Sequence, residues 1–414
     1  MLQDSIVTNV EVSSNGQWLA STGSDKTVRV WNASTGAEIF QIPLKADGTF
    51  LAFSKDGKYL VSGDQLGAID IWDISVMAAS EKSVQFNGIV NKVQYSPAGT
   101  RLAVSDENRV WLLNLGPLSS LTTSPQGSPV HTFKSRVDQL IFSPDSKMLG
   151  ILTKGNEVAF YNIDNPGLKT PKVSGTVRSI AFSPDSQLFL TSDSAGNVQA
   201  WNVLTAELVN DFGQKDTHAS SLANSSTLLA IGLRDKIMIM DANGDRTVSE
   251  VESLGENTLM ALSADGAWLA SSDSSGKISI WKNQDGKFTS PVSSTKKEQA
   301  VSLSFNPAGT LLAVGTSSNV YLLDPTTGKE IARIPHIDIV NGVSFSGDGK
   351  ILATGSSKVL QFWDISKIRR IRKDDLVVTA CSRLIENFDT AQWTALFGDE
   401  KYRTLCENLP VPQD

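Results

Sequence analysis

Histidine and serine are two residue types of this sequence that could bind a metal ion or act as a nucleophile. Their spacing along the chain is not that of a metal site or a catalytic site. His131, His218 and His336 lie far apart, without the short spacing that lets histidines share a metal ion. Serine is abundant, but no Gly-x-Ser-x-Gly nucleophile motif is present. We therefore predict no catalytic residue, no metal ligand and no cofactor, and we expect the histidines at surface or loop positions.

The two cysteines, Cys381 and Cys406, lie close to the end of the sequence. A disulfide framework therefore cannot hold the main body together. The two thiols would approach each other if the end of the chain folded into a hairpin, but we expect free, buried thiols in a reducing cytoplasm.

Composition and charge narrow the classes of protein to which the chain can belong. With 40% hydrophobic and 20% charged residues among 414, it has ample apolar material for a large core. Its net charge of -7 disfavours a binder of nucleic-acid phosphates, which normally has a basic surface. The sequence contains neither the long apolar run of a membrane helix nor the pattern of a signal peptide at residues 1–10. We expect a cytoplasmic protein that binds neither nucleic acid nor membrane.

The elements that position these side chains follow a repeat of about 40 residues. The segment FSPDS occurs at 142–146 and again at 182–186, and aligning its surroundings gives nine units. Each unit has a two-residue turn, such as Asp56-Gly57, and an alternating strand, such as TVRVWN at 27–32, so that antiparallel hairpins are predicted. Four short strands fit in each unit. The alternating strands end at Trp31, Trp72, Leu113, Tyr161, Trp201, Met240, Trp281, Leu323 and Trp363.

The chain resembles the WD40-repeat family through VRVWN at 28–32, IDIWD at 69–73, LQFWD at 360–364 and the repeated FSPDS. The resemblance covers about residues 7 to 366 and implies an all-β fold, a β-propeller of four-stranded antiparallel blades. Blades of this family often begin with a Gly-His dipeptide whose histidine bonds an aspartate of the same blade. Here His336 occupies the nearest equivalent position, and its turn lacks the aspartate. We therefore expect blades that depend mainly on apolar packing.

Nine units allow two arrangements of the blades. All nine can close a single ring, with residues 367–373 as the outer strand of the last blade. Alternatively, seven form the ring and two are extra blades left from a truncated neighbour. We favour the single ring, because an isolated pair would expose unpaired strand edges and half-buried apolar faces. Residues 1–373 are accordingly assigned to the propeller.

A short C-terminal helical tail is predicted for residues 374–414, where the repeat stops. Leu376, Ala380 and Leu384 fall on one helical face, and Gln392 follows Asp389 as in a capping box. The tail resembles the end of bacterial, particularly cyanobacterial, multidomain proteins that carry an effector or signalling ATPase region before their WD40 repeats. The sequence has no Gly-x4-Gly-Lys-Ser/Thr phosphate loop, so that activity is not carried over.

We predict a non-catalytic protein-binding scaffold or sensor module, because a rigid ring presents variable loops on one face. The protein partner and the oligomeric state stay open. The alternatives are a propeller enzyme with an unrecognised channel site and the C-terminal sensor part of a larger signalling ATPase or effector protein. Candidate partner-binding residues lie in the turns between second and third strands and in the links between units: Asp25, Asp64, Gln65, Phe86, Glu107, Lys154, Arg234, Asp235 and His336.

Overall fold

The described part of the chain consists of antiparallel β-sheets. The structure is a computed structural model, and it describes residues 5–365 except 55–58, 68, 75–81, 116–123, 126, 212–220, 234–235, 242–245, 253–256, 274, 296–297 and 337. No helix occurs among these described residues. The predicted helical tail at 374–414, with both cysteines, lies outside them.

Each of the nine sequence units forms a sheet, and we call these sheets blades 1 to 9. Blade 1 contains β1 (Val7–Val12), β2 (Trp18–Gly23), β3 (Thr27–Asn32) and β4 (Glu38–Pro43). Blade 2 contains β5 (Gly48–Phe53), β6 (Tyr59–Asp64) and β7 (Ile69–Asp73), and is followed by β8 (Lys82–Gln85). Blade 3 contains β9 (Val90–Tyr95), β10 (Arg101–Asp106), β11 (Arg109–Asn114) and β12 (His131–Thr132).

The next three blades each have four strands in chain order. Blade 4 contains β13 (Val137–Phe142), β14 (Met148–Thr153), β15 (Val158–Asn162) and β16 (Gly167–Lys169). Blade 5 contains β17 (Val177–Phe182), β18 (Leu188–Asp193), β19 (Val198–Asn202) and β20 (Leu208–Asp211). Blade 6 contains β21 (Ser221–Asn224), β22 (Leu229–Gly232), β23 (Lys236–Met240) and β24 (Thr247–Glu252).

The last three blades complete the series. Blade 7 contains β25 (Asn257–Leu262), β26 (Trp268–Asp273), β27 (Lys277–Gln284), the short β28 (Lys287–Phe288) and the outer β29 (Val292–Thr295). Blade 8 contains β30 (Ser302–Phe305), β31 (Leu312–Gly315), β32 (Asn319–Leu323) and β33 (Glu330–Pro335). Blade 9 contains β34 (Val340–Phe345), β35 (Ile351–Ser356) and β36 (Val359–Asp364).

The aromatic residue that ends many third strands is fixed by a hydrogen bond inside its blade. In blade 1, Val28 and Val30 of the alternating strand are buried. The indole N–H of Trp31 donates to Ser21 Oγ at 2.9 Å. The indole of Trp201 donates to Thr191 Oγ1 at 3.1 Å in the same place of blade 5. A buried indole requires such an acceptor, so the hydroxyl on the second strand sets the position of the aromatic ring.

The repeated FSPDS segment is a hairpin turn stabilised by its own side chains. In blade 4, Ser143 Oγ donates to Asp145 Oδ1 at 2.6 Å and accepts the backbone N–H of Met148 at 2.9 Å. Ser146 has a φ of 65°. The phenyl ring of Phe142 is buried next to the turn. The phrase recurs because each blade needs this connection between its first and second strands.

The ring of blades contains seven blades, which corrects the predicted single ring of nine. The inner strands β9, β13, β17, β21, β25, β30 and β34 contact one another in that order, and β34 contacts β9. Blades 3 to 9 therefore close on themselves. At the closing seam, the backbone N–H of Tyr95 donates to Ser344 Oγ at 2.9 Å, and Asn341 Nδ2 donates to Val90 O at 3.0 Å.

Glycines explain why blade 9 meets blade 3 at this seam. A Cβ on Gly342 would lie 2.7 Å from the backbone nitrogen of Val93, and a Cβ on Gly355 would lie 2.5 Å from Val90 Cγ1. A larger residue at Gly342 would push β34 away from β9, and a larger residue at Gly355 would push β35 away from β9. The alternative of seven blades plus two is therefore the arrangement that the chain adopts.

Blade 9 obtains its fourth strand from residues that precede the ring. β8 pairs with β36, with Ser83 opposite Gln361 and Val84 opposite Leu360. This is the position that the sequence interpretation assigned to residues 367–373, which lie outside the described residues. Blade 2 is in turn a three-stranded sheet of β5, β6 and β7. The strand that follows blade 2 in the sequence thus completes a different blade.

Blades 1 and 2 lie beside the ring and pack against blade 8. β4 pairs with β33 at Gln41 and Arg333, so that blades 1 and 8 form one eight-stranded sheet. Phe40 and Ile42 are buried in the same apolar cluster as Ile334. We call blades 1 and 2 together the two-blade unit.

A disulfide between β8 and β36 tests this closure. In a chain with Cys381→Ser and Cys406→Ser, we expect Ser83→Cys with Gln361→Cys to form a disulfide on mild oxidation, because paired residues on antiparallel strands have the required Cα separation of about 4.5 to 5.5 Å. Peptide mapping identifies the cross-link. The control pair, Ser83→Cys with Asp70→Cys, would join β8 to β7 if blade 2 kept its own fourth strand. A disulfide in the control pair alone would contradict the observed closure.

Candidate functional site

The face of the ring that carries the turns between second and third strands and the links between blades is here called the upper rim. Backbone hydrogen bonds join these turns and links. The N–H of Glu107 donates to Ile89 O at 2.8 Å, the N–H of Val137 donates to Glu107 O at 2.8 Å, and the N–H of Lys154 donates to Arg136 O at 2.8 Å. The rim is therefore a continuous surface across blades 3 and 4.

Two predicted residues, Glu107 and Lys154, lie exposed on neighbouring blades of the upper rim. Arg136 is also exposed there, next to Lys154. The sequence did not predict this position, because Arg136 lies in a link between blades and the repeat pattern does not define how a link is placed. The structure thus brings together one acidic and two basic side chains. Their role in partner binding stays a prediction.

Ile89 and Ile339 are exposed isoleucines of the rim that the sequence interpretation missed. Their exposed fractions are 42% and 51%. They precede β9 and β34, which meet at the closing seam, so both lie beside the same joint. The tripeptide Ile-Val-Asn occurs at both places, at 89–91 and 339–341, and this repetition is the signal that would have found them.

Phe86, one of the predicted partner contacts, lies in the core. Its side chain is 4% exposed and makes an edge contact with Trp111, with ring centroids 6.0 Å apart. The backbone N–H of Phe86 donates to Lys358 O at 2.8 Å. The residue therefore lies in the link between β8 and β9 and attaches this link to blade 9, and its role in partner binding stays a prediction.

Three predicted residues belong to the two-blade unit instead of the ring. Asp25 forms an ion pair with Arg29 at 3.1 Å. Asp64 is buried and accepts the backbone N–H of Leu66 at 3.0 Å, so it stabilises its own turn. Gln65 is exposed. Arg234 and Asp235 lie outside the described residues.

The two-blade unit exposes a group of large apolar side chains. Of the twelve such residues exposed in the described chain, seven belong to this unit, so the exposure is concentrated there. Val10 and Val12 lie on β1 and Phe50 lies on β5, and these two strands contact each other. We call this set the apolar group of the two-blade unit: Ile6, Val7, Val10, Val12, Phe50, Leu66 and Ile69.

The centre of the ring is a channel with a cavity of about 170 Å³. Every inner strand of the ring contributes to its wall, which includes Lys92, Gln139, Ser179, Ser221, Ser302 and Ser344. The wall residues include no carboxylate and no histidine. The wall is instead formed by hydroxyl, amide and apolar side chains together with Lys92.

Within the described residues, no group of three or more His, Cys, Asp or Glu side chains is placed to hold a metal ion. The prediction of a protein without a metal or cofactor stays a prediction. Among the same residues, no helix is long and apolar enough to cross a membrane.

Comparison with known proteins supports the interpretation of the repeats. A family model described as "WD domain, G-beta repeat" matches residues 3–32, 168–202, 253–282 and 328–364. The first two segments contain the hydrogen bonds of Trp31 and Trp201 described above. These four segments are WD40 repeats.

Similar chains are found among both sequences and solved structures. Apoptotic protease-activating factor 1 of Homo sapiens is 29% identical over 43% of this chain and 15% of its own length. U3 small nucleolar RNA-associated protein 4 homolog of Homo sapiens is 24% identical over 55% of this chain and 34% of its own length. Serine-threonine kinase receptor-associated protein of Mus musculus is 22% identical over 49% of this chain and 56% of its own length. The matches thus span less than two thirds of each of these relatives.

The propeller fold is supported by a chain in the crystal structure of a mitotic checkpoint complex. That chain superposes on this one with a TM-score of 0.56 at 18% identity. The match covers 69% of this chain and 91% of that chain. At this level of identity the likeness concerns the fold alone.

His336 acts within WD40 blade 9. Its Nδ1 lies 3.2 Å from Ile334 O, and its Nε2 lies 3.0 Å from Thr354 Oγ1. A carbonyl only accepts, so Nδ1 carries the proton and Nε2 accepts from the hydroxyl of Thr354. The same Oγ1 accepts the indole N–H of Trp363 at 2.9 Å. These hydrogen bonds give His336 a structural role in the blade, and its role as a partner contact stays a prediction.

Blade 9 should lose stability when His336 becomes protonated. Burial lowers the pKa of His336 from 6.5 to about 4, although the bond to Ile334 O opposes the shift. Because the folded-state pKa is lowered, the stabilisation is complete above pH 6.5 and is lost as the pH falls towards 4. We expect the free energy of unfolding to fall by up to about 3 kcal/mol more in the wild type than in His336→Gln over this range. Denaturant titrations at several pH values measure it, and parallel pH profiles for the two proteins would contradict it.

Proposed function

We propose that this chain is a protein-binding scaffold without catalytic activity. The observation that carries the proposal is the apolar group of the two-blade unit. Val10, Val12 and Phe50 are each about half exposed, on neighbouring strands. Folded soluble proteins rarely leave large apolar patches in water, and such patches commonly mark protein interfaces. The partner is accordingly a protein with a complementary apolar surface.

The arrangement of the blades suits a scaffold. The seven-bladed ring is closed by inter-blade hydrogen bonds and buried apolar clusters, so its loops are presented from a rigid support. The upper rim adds exposed Ile89 and Ile339 beside charged Glu107, a mixture typical of protein-binding surfaces. The rim and the two-blade unit thus provide two contact regions on one molecule.

The names of similar proteins agree with this proposal. One relative is named as associated with a serine-threonine kinase receptor, and the solved structure belongs to a checkpoint complex. Association with other proteins is therefore found among proteins of this architecture. The interpretation as the sensor part of a larger signalling protein stays a prediction, as do the cytoplasmic location and the lack of nucleic-acid and membrane partners.

A pair of matched double variants tests the proposal. Val10→Lys with Phe50→Lys places two charges in the apolar group, and Leu208→Lys with Val209→Lys makes the same change on β20, where both residues are also exposed. We expect the first variant to lower the amount of a specifically captured protein from native extract by at least about tenfold, since a charge in an apolar contact removes its main stabilisation. The β20 variant should capture as much as the wild type.

Two further outcomes separate this proposal from its alternatives. Sedimentation velocity of the purified chain shows whether the captured partner is a second copy of the same chain. Equal capture by both variants would remove the apolar group as the binding surface. Loss of capture in both variants, with unchanged thermal unfolding, would indicate a nonspecific effect of added charge and would equally contradict the proposal.

A further inference from the structure

The channel wall has a repeated hydrogen-bond pattern between neighbouring blades. At the closing seam, Ser344 Oγ accepts the N–H of Tyr95, and Ser302 Oγ accepts the N–H of Val343 at 3.1 Å. Ser179 Oγ accepts the N–H of Leu222 at 3.0 Å. A polar side chain on one inner strand thus receives the backbone donor of the next inner strand. This pattern couples each blade to its neighbour at the channel.

The same pattern leaves hydroxyl hydrogens at the channel. A serine hydroxyl that accepts a hydrogen bond still has one O–H to donate. Ser302 and Ser344 both line the cavity, and their oxygens are used as acceptors by backbone N–H groups of the next blade. Their O–H groups are therefore available as donors towards the cavity.

Lys92 is the only charged side chain among the residues that line the cavity. It lies on β9, next to the seam, where the lack of a side chain at Gly342 leaves room for the backbone of β9. Three charged groups act on its ammonium group: Asp138 attracts it, and Arg136 and Lys154 repel it. Burial lowers the pKa of Lys92, which shows that the surrounding groups compensate its charge incompletely.

The upper rim extends the positive charge outside the cavity. Arg136 and Lys154 are exposed there on blade 4, and Asp138 is the one carboxylate that acts on Lys92. Three cations, Asp138 and the exposed Glu107 of the same rim therefore surround this end of the channel, so that the cations outnumber the carboxylates. The resulting positive potential attracts anions, because a narrow channel with low-dielectric walls concentrates the field.

We propose that the channel is a binding site for a small oxyanion, a phosphate or carboxylate group, held by Lys92 and the hydroxyls of Ser302 and Ser344. A cavity of about 170 Å³ is far larger than the ~15 Å³ that one water molecule needs, so a small oxyanion fits with several waters. The group arrives either as free phosphate or as an acidic side chain of a bound peptide. This site is separate from the apolar group of the two-blade unit, so the two proposals stand independently.

Calorimetric titration of the purified full chain tests the site with two probes. Inorganic phosphate represents the free anion, and an acetylated triglutamate peptide represents the carboxylate source. We expect at least one probe to bind with an affinity that falls as salt rises. Lys92→Gln should weaken that binding by at least about tenfold, and Lys92→Arg should retain most of it because the charge remains. Lys147→Gln, an equal change of charge at an exposed turn, should have no effect.

The folding of Lys92→Gln is checked in the absence of either probe. Removing a buried, incompletely compensated charge should leave the melting temperature unchanged or raise it. In the wild type, the bound probe should raise the melting temperature, and Lys92→Gln should abolish this increase. If phosphate alone binds, the ligand of the channel is free phosphate. If the peptide alone binds, the ligand is an acidic segment of a protein. No binding of either probe, or equal binding by Lys92→Gln, overturns the proposal.

Discussion

The architecture depends on the seam where β34 meets β9, because this contact joins the two ends of a ring that is otherwise continuous in sequence. Tyr95 and Ser344, the hydrogen-bonded pair at this joint, are 249 positions apart in the sequence. The close approach of the strands requires glycine at 342 and 355. A joint between distant segments carries a high cost in chain entropy, so the packed seam must offset it. The pairing of β8 with β36 strengthens the same blade from its outer side.

The pairing of β8 with blade 9 determines how many strands the two-blade unit has and which blade it contacts. Because β8 completes blade 9, blade 2 keeps three strands, and blades 1 and 2 depend on their edge contact with blade 8. Within the ring, each inner strand has a neighbour on both sides, whereas the extensive contact of β1 with an inner strand is that with β5. The apolar side chains that a neighbouring blade covers in the ring are therefore exposed on β1. The closure of the ring by blades 3 to 9, with β8 completing blade 9, therefore leaves exposed the surface that is proposed to bind a partner.

Sequence patterns predicted the blades well and the ring poorly, for a physical reason. The elements inside a blade depend on local features, such as the Ser143 turn and the alternation of Val28 and Val30. Similar features recur along the chain, although Asn306 takes the place of the serine in blade 8. The number of blades in the ring depends on which units contact each other. That choice rests on a few positions, such as Gly342, which look ordinary in the sequence. The burial of Phe86 in its link was missed for the same reason, because the pairing of β8 with β36 is not a local feature.

The sequence predicted that the polar network often found in WD40 blades is mostly absent. In the described blades, hydrogen bonds of other residues nevertheless join the links to the turns. In blade 8, Glu298 accepts hydrogen bonds from Thr316, Ser318 and Asn319. Burial alone would raise the pKa of Glu298, but these bonds and that of Ser317 lower it to about 2. In blade 4, Ser135 Oγ donates to Thr153 Oγ1 at 3.1 Å. Each blade therefore requires a polar side chain in its link that forms hydrogen bonds with the polar groups of the turn. Histidine is one of several residues that can form these bonds. Because this requirement does not fix the residue type, sequence comparison with the Gly-His pattern underestimated the polar contribution to these blades.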